Sequence, residues 1–273
     1  MLVLMEIGQQ FLMLQIDKKI TSDDLSILIF QDRIAFCTLE QTLYFNLEKK
    51  NINSDSLGTW IKYHNIKKNN TKCISFESNG VVVPEKLYDE ANKNLYLSLT
   101  DDDLKNKKIE TKIIESNNQV FIFPQSRDWD LLFQNLGVDI KTTHFAAELI
   151  SFLSKLANTS LKKSVFIHLR KKFFDVFIYQ GSQLLLFNSF PHQDEDEFLY
   201  YLFFVLEQFY LKANQFEAVF LGKFLKYQSY YDAFKQFHLI TDFTYPENLE
   251  IDSNHPAPFF NYFYAYENNI RKV

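Results

Sequence analysis

Glycine is scarce in this sequence. Six occur in 273 residues, at positions 8, 58, 80, 137, 181 and 222, where average usage of roughly 7% would give about 19. No two of them lie within ten residues of each other. Phosphate-cradling loops press several backbone amides against a ligand, and glycine permits that approach. The Gly-x-Gly-x-x-Gly dinucleotide turn and the P-loop are therefore both absent.

Cysteine is scarcer still. Cys37 and Cys73 make neither a disulfide framework nor a zinc cluster. No apolar run approaches the ~18 residues of a membrane span. The N-terminal "MLVLMEIGQQFLMLQI" is broken by Glu6, Gln9 and Gln10. It lacks a basic leader and a small-residue cleavage site, so no signal peptide is read. Net charge is −5, so there is no basic field to favour nucleic acid or an anionic membrane. A soluble, reducing, cytoplasmic setting follows as the expectation.

What the chain has in quantity is apolar and aromatic side chain: 47% hydrophobic, with 29 Phe and 15 Tyr. That content builds packed sheets and helices and argues against disorder. Residues 25–31, 33–40 and 42–48 are short β-branched and aromatic runs with short breaks, the pattern of an antiparallel meander. A helix is expected at 54–65, a strand at 73–78, and a helix at 83–99 with Leu87, Ala91 and Leu95 on one face. Further strands are expected in "IETKIIES" and "QVFIFPQ", then a short helix ending at Gly137, a strand in "VDIKTTHF", and a helix over 145–158.

The second half restarts with strands at 164–169, 173–180 and 183–188. The helix over 194–211 opens on Asp194 with Glu197 three residues on, a capping-box start. Its faces are both apolar, which predicts burial on most sides. A strand at 216–222 and a helix at 230–237 follow. Strand-strand-strand-helix-strand-helix thus occurs twice. The reading is an α/β chain of two lobes, 1–160 and 161–273, each a mixed sheet flanked by helices.

This doubled βββαβα order, with "NLGVDIKTTHFAAELISFLSKL" where a strand and linking helix join the lobes, resembles the actin-like ATPase superfamily of ribonuclease H-like folds. That group includes sugar kinases, Hsp70 and the cell-division and pilus-assembly actin homologues. "DDLSILIFQDRIAFCTLE", "LLLFNSFPHQDEDEFLYYLFFVLEQFYL" and "FFNYFYAY" are more closely similar to a family of uncharacterised bacterial proteins, a domain of unknown function with an actin-like fold. The resemblance implies a strand-end Asp followed by glycines in each lobe, holding magnesium and ATP phosphates. Here the second-lobe Asp position holds His168 and the glycine position Arg170, with Asp175 retained nearby. In the first lobe Asp32 has no glycine beside it. The adenosine-side pair of glycines is reduced to Gly222, followed by Lys223. The implied reading is an actin-like fold with degenerate nucleotide sites, no catalytic residue and no cofactor: a scaffold or assembly partner that binds another protein. The alternative is an atypical ATP-binding protein or weak ATPase, with ATP and magnesium as cofactors and Asp32, Asp175 and Gly222 as contacts.

The other polar clusters have ordinary explanations. Arg170, Lys171 and Lys172 read as a solvated hairpin turn. His168 has no nucleophile placed beside it in sequence. Asp194–Glu197 and Asp101–Asp103 suit helix starts and lack calcium-loop spacing. The basic "KYHNIKKNNTK" reads as a solvated loop rather than an RNA contact. The terminal "HPAPFFNYFYAY", with six rings, reads as core packing. A partner-docking patch is its alternative.

Overall fold

Short runs of β-branched and aromatic residues become strands wherever a tight turn lets the next run fold back on them. The computed structural model describes residues 25–244, 254–261 and 263, apart from segments at 39–40, 48–53, 65–71, 77–79, 99–103, 105–106, 115–117, 138–141, 158–161 and 213–214. The aspartates 101–103, most of the basic stretch 62–72 and Tyr262, Tyr264 and Tyr266 lie outside the described residues.

The opening meander is β1 (Ser26–Ile29), β2 (Arg33–Cys37) and β3 (Thr42–Asn46). Its pairs include Leu28↔Ala35 and Ile29↔Ile34. Helix α1 (Ser54–Tyr63), β4 (Lys72–Ser75) and, much later, β8 (Thr142–His144) complete a sheet ordered β3-β2-β1-β4-β8. The second half repeats the plan with β9 (Lys163–Leu169), β10 (Phe173–Gln180), β11 (Gln183–Pro191), β12 (Phe216–Leu221) and β13 (Ile240–Thr244). Its order is β11-β10-β9-β12-β13. Strand for strand this is the order of the first sheet, so the duplication read in the sequence is one of topology. Inserted within the first copy, between β4 and β8, are β5 (Val81–Pro84), β6 (Lys107–Ile114) and β7 (Gln119–Ser126), an antiparallel sheet ordered β5-β7-β6.

The described chain divides into two compact units. One comprises residues up to Ile74 with Asp128–Thr142; the other comprises Ser75–Arg127 with Thr143 onward. The first has its own core, in which Ile27, Ile34 and Phe36 of the sheet meet Leu57 and Ile61 of α1 and Trp129 and Phe133 of α3 (Arg127–Asn135). In the second, Val83, Ile109, Val120 and Ile122 of the three-stranded sheet close on Leu97 of α2 (Lys93–Leu97). Helix α4 (Phe145–Ala157) buries eight of its residues, and the Tyr179 hydroxyl of β10 donates to its Ile150 carbonyl at 3.0 Å.

Three expectations need correction. The stretch 83–99 is not one helix. Pro84 ends β5, 3-10 turns occupy Glu85–Leu87 and Glu90–Asn92, and only Lys93–Leu97 is α-helical. Leu87 and Leu95 are exposed, at 69% and 65%. Strand pairing of Val81–Pro84 with β7 outweighs the helical spacing, and the Tyr96 hydroxyl pins the turn by donating to the Leu87 carbonyl. Secondly, α5 (Glu195–Gln208) buries only Phe198, Leu202, Val205 and Leu206, while Tyr200 and Phe204 are exposed. Thirdly, β13 was not expected. Its "ITDFT" has little apolar pattern, and it is a strand because it pairs in parallel with β12.

Candidate functional site

The hairpin of β9 and β10 brings three of the candidate residues together. Its turn is two residues long, Lys171-Lys172, because Arg170 N–H donates to the Phe173 carbonyl at 2.8 Å. The register then places Leu169 opposite Phe174 and His168 opposite Asp175. The next hairpin places Ser189 opposite Asp175 on its other side. A carboxylate in the middle of three strands is thus flanked by a histidine and a serine, and Arg170 reaches back from the strand end.

The carboxylate is fully engaged. Arg170 Nη2 donates to Oδ1 at 2.7 Å and Arg170 Nε to Oδ2 at 2.8 Å, a two-pronged pair. His168 Nδ1 lies 2.8 Å from Oδ2, and Ser189 Oγ donates to Oδ1. Asp175 and His168 are wholly buried, and Arg170 is 7% exposed. Burial alone would raise the Asp175 carboxyl. The Arg170 charge and the bonds from His168 and Arg170 overcome it and hold the group below the usual carboxylate range. For His168 burial dominates, so its pKa is lowered despite Asp175. The state is Asp175 anionic, Arg170 cationic and His168 neutral. An ionised Asp175 can only accept, so His168 carries its proton on Nδ1. Its Nε2 is a bare lone pair, buried with no hydrogen-bond partner among the described residues.

Arg170 is therefore no solvated turn residue, and that expectation is corrected. Its guanidinium lies 4.6 Å from the Phe145 ring centroid, 5.2 Å from Phe173 and 5.9 Å from Phe76, a cage of cation–π contacts. Lys171 and Lys172 alone are exposed. Part of the turn's backbone is bonded as well. Lys171 N–H donates to the Pro256 carbonyl at 2.8 Å, and His192 N–H to the Lys172 carbonyl at 3.1 Å. His192 Nε2 donates to the Arg170 carbonyl at 2.8 Å, which leaves Nδ1 to accept from the Tyr230 hydroxyl at 3.0 Å. Burial lowers the His192 pKa and pushes Tyr230 up to about 12.

The C-terminal aromatic segment closes over this cluster. Phe259 and Phe260 are fully buried, with ring centroids 5.9 and 5.5 Å from the His168 ring. Phe260 also packs edge-on against Phe76, and Phe263 against Phe152. Lys226 Nζ donates to the His255 carbonyl at 2.7 Å. The described part of the segment is core packing, as the sequence suggested.

The remaining candidates are Gly222 and Asp32. Gly222 follows β12, two residues past the Phe220↔Ile167 pair. Its φ is +79°, and a Cβ there would lie 2.5 Å from the Phe224 ring. Its N–H donates to Thr244 and its carbonyl accepts from the Tyr231 hydroxyl. Asp32 belongs to the first unit. It sits at the tip of the β1–β2 turn, exposed, and pairs with Arg33 at 2.8 Å. That turn has the same form as the other, with Phe30 N–H donating to the Arg33 carbonyl. By hairpin position Phe30 therefore matches Arg170, Leu28 matches His168 and Ala35 matches Asp175. Asp32 matches Lys172.

Ser189, His192, Tyr230 and Pro256 were missed in the sequence. Counting outward from a two-residue turn would have paired His168 with Asp175. Nothing local marks the others. The helix-start reading of 194–197 is matched in detail: Asp194 Oδ1 accepts from Glu197 N–H, and Glu197 Oε2 from Gln193 N–H. Among the described residues no group of three metal-ligating side chains exists. No helix there is long and apolar enough to cross a membrane.

Comparison with known proteins gives the chain a family and a fold. A family model described as "Protein of unknown function (DUF3822)" matches residues 13–239. No curated protein matches the chain. A crystal structure from Bacteroides thetaiotaomicron, of a protein with actin-like ATPase fold and unknown function, aligns with a TM-score of 0.67 at 18% identity over 83% of this chain and 92% of that one. A PilM–PilN type IV pilus biogenesis complex aligns with a TM-score of 0.52 at 8% identity, over 84% and 88%. The chain has the actin-like ATPase fold.

Proposed function

Because the chain belongs to the DUF3822 family of proteins of unknown function and carries the actin-like ATPase fold, we propose that it is a non-enzymatic member of that fold: a cytoplasmic scaffold or assembly partner that binds another protein and has lost nucleotide chemistry. One observation carries the reading. The second-lobe hairpin turn, where related folds hold phosphate and magnesium, has its carboxylate and the Arg170 and Lys171 amides engaged internally. Asp175 is neutralised by Arg170 and bonded by His168 and Ser189. Lys171 N–H is taken by Pro256, and the Phe259 and Phe260 rings fill the space beside His168.

Magnesium and a triphosphate do not fit this set of residues. A divalent ion would have to displace a guanidinium from a wholly buried carboxylate. The Arg170 and Lys171 amides are already engaged, and no neighbouring glycine allows a phosphate close backbone approach. A fold that keeps its frame while its ligand groups are turned inward retains its outer surfaces for recognition. One relative in fold was solved as a PilM–PilN complex, which supports a protein as the class of partner.

The test is thermal unfolding with and without millimolar MgATP. A ligand at 100 times its Kd adds about 2.7 kcal/mol, a shift of several degrees in a chain of this size. No shift is expected. A rise that Asp175→Asn abolishes would establish the competing reading, an atypical ATP-binding protein.

A further inference from the structure

Two sheet edges in the second unit line one cavity. Strand β5 ends the three-stranded sheet and β11 ends the five-stranded one, and neither has a second strand neighbour among the described residues. The cavity between them measures about 380 Å³, with Val81, Val82 and Pro84 on one wall and Leu184–Asn188 on the other. Gln119 joins the walls, its Nε2 donating to the Leu184 carbonyl at 3.0 Å. We propose that this slot takes up an extended, uncharged peptide segment of a partner protein, added as a strand along β11. The proposal rests on the scaffold reading above and names the form its partner takes.

The backbone geometry selects the occupant. The turn at Gly181-Ser182 makes Gln180↔Gln183 the pair that exchanges hydrogen bonds, so Leu184, opposite Tyr179, turns its peptide groups outward. Its carbonyl meets the Gln119 amide for that reason. The strand bulges at Leu185, between the Tyr179↔Leu184 and Ile178↔Leu186 pairs, and alternation then resumes. Ser189 N–H points outward and is satisfied by Asn188 Oδ1 at 2.9 Å. Between these two tethered points the same alternation turns the peptide groups of Phe187 toward the slot, and no hydrogen bond to them is seen among the described residues.

A second acceptor waits there. Gln119 Oε1 is buried with no donor among the described residues, a state that costs on the order of 1–3 kcal/mol until a donor arrives. An extended chain supplies N–H and C=O groups in alternation, which is what these groups lack. Strand β5 is the poorer template, since Pro84 has no N–H to give. Among the described residues no ionisable side chain lines the slot. A charged segment would be desolvated without compensation, and apolar side chains at alternate positions match the leucine and valine walls.

The experiment is selection of linear peptides from a displayed random library on the purified full chain, followed by synthesis of the selected sequences. Selected peptides are expected to alternate apolar residues without charge. At saturation they should slow hydrogen exchange of the Phe187 amide at least tenfold. N-methylation at alternate residues should abolish binding, and Val82→Arg or Leu185→Arg should weaken it at least tenfold while leaving the unfolding midpoint in place. The proposal is overturned by an empty selection, by peptides that bind both arginine variants as well as wild type, or by a Phe187 amide that exchanges unchanged at saturation. Concentration-dependent protection of Phe187 without peptide would also overturn it, because the occupant would then be a second copy. The scaffold reading fails separately, through a thermal shift with MgATP. A protein partner that ignores Val82→Arg would sink the slot and leave that reading standing.

Discussion

His168 Nδ1 lies 2.8 Å from Asp175 Oδ2 across the β9–β10 hairpin, with both side chains wholly buried. The pairing follows from a two-residue turn and an unbroken antiparallel register. It sets the protonation state of the whole cluster. It also makes the site sensitive to the removal of any one charge.

Asp175→Asn leaves Arg170 buried without its counter-charge. Breaking one partner of a buried pair costs about 3–5 kcal/mol, so the urea or thermal midpoint should fall sharply. The triple variant His168→Leu, Arg170→Phe, Asp175→Ala installs the residues found at the matching positions of the first hairpin, Leu28, Phe30 and Ala35. It should recover most of that loss, because removing all partners leaves no orphan charge. A triple variant as unstable as Asp175→Asn would show that the cluster is needed for more than charge balance.

All six histidines are buried, and burial lowers the pKa of His168 and His192 from the ordinary 6.5. The unfolded chain binds protons at these groups below about pH 6.5, whereas the folded chain does not. Stability is therefore full above that value and falls as pH drops below it, by up to about 1.4 kcal/mol per group per pH unit. Asp175, lowered in the fold, contributes its loss only further down, below the ordinary carboxylate value of 3.8. Urea midpoints measured from pH 8 to pH 5 should decline. A flat profile would contradict the assignment of neutral, buried imidazoles.

Phe260→Ala removes a fully buried ring that touches Phe76, Phe145 and His168. A cost of about 3–5 kcal/mol is expected, with faster hydrogen exchange at the Lys171 amide, which the same segment holds through Pro256. A surface ring would give a change within about 0.5 kcal/mol, and such a result would remove the segment from the core.

Gly222→Ala and Gly181→Ala separate geometry from ligand binding. Both positions have positive φ, but a Cβ at Gly181 meets nothing within 4 Å while one at Gly222 strikes the Phe224 ring. Gly181→Ala should cost about 1 kcal/mol from backbone conformation alone, and Gly222→Ala clearly more. Equal losses in an unfolding titration would mean that Phe224 gives way freely.

The repeated strand order was legible because each copy begins with a local meander. Tight turns and β-branched runs need no distant partner to be read. The error at 83–99 and the unexpected β13 share a cause: Val81–Pro84 and Ile240–Thr244 are strands because of residues far away in the chain. The site was half legible. His168, Arg170 and Asp175 were singled out because they depart from a pattern, but their burial was not seen. A hairpin turn rich in cations looks solvated until Phe145 and Phe260 are placed against it. Ser189 and Pro256 join through tertiary structure alone, and no spacing announces them.

The two hairpins of identical form act as an internal control. Leu28 and Ala35 pair across one as apolar side chains, while His168 and Asp175 pair across the other in a network of four side chains. The same backbone thus closes equally well with oil or with ions at its centre. Forming the hairpin cannot be the reason the ions are there. What they add is direction: a leucine cluster accepts any ring that fits, whereas a carboxylate with four fixed donors admits one arrangement of its neighbours. The second copy of the hairpin is in that sense a keyed part, and the first an unkeyed one.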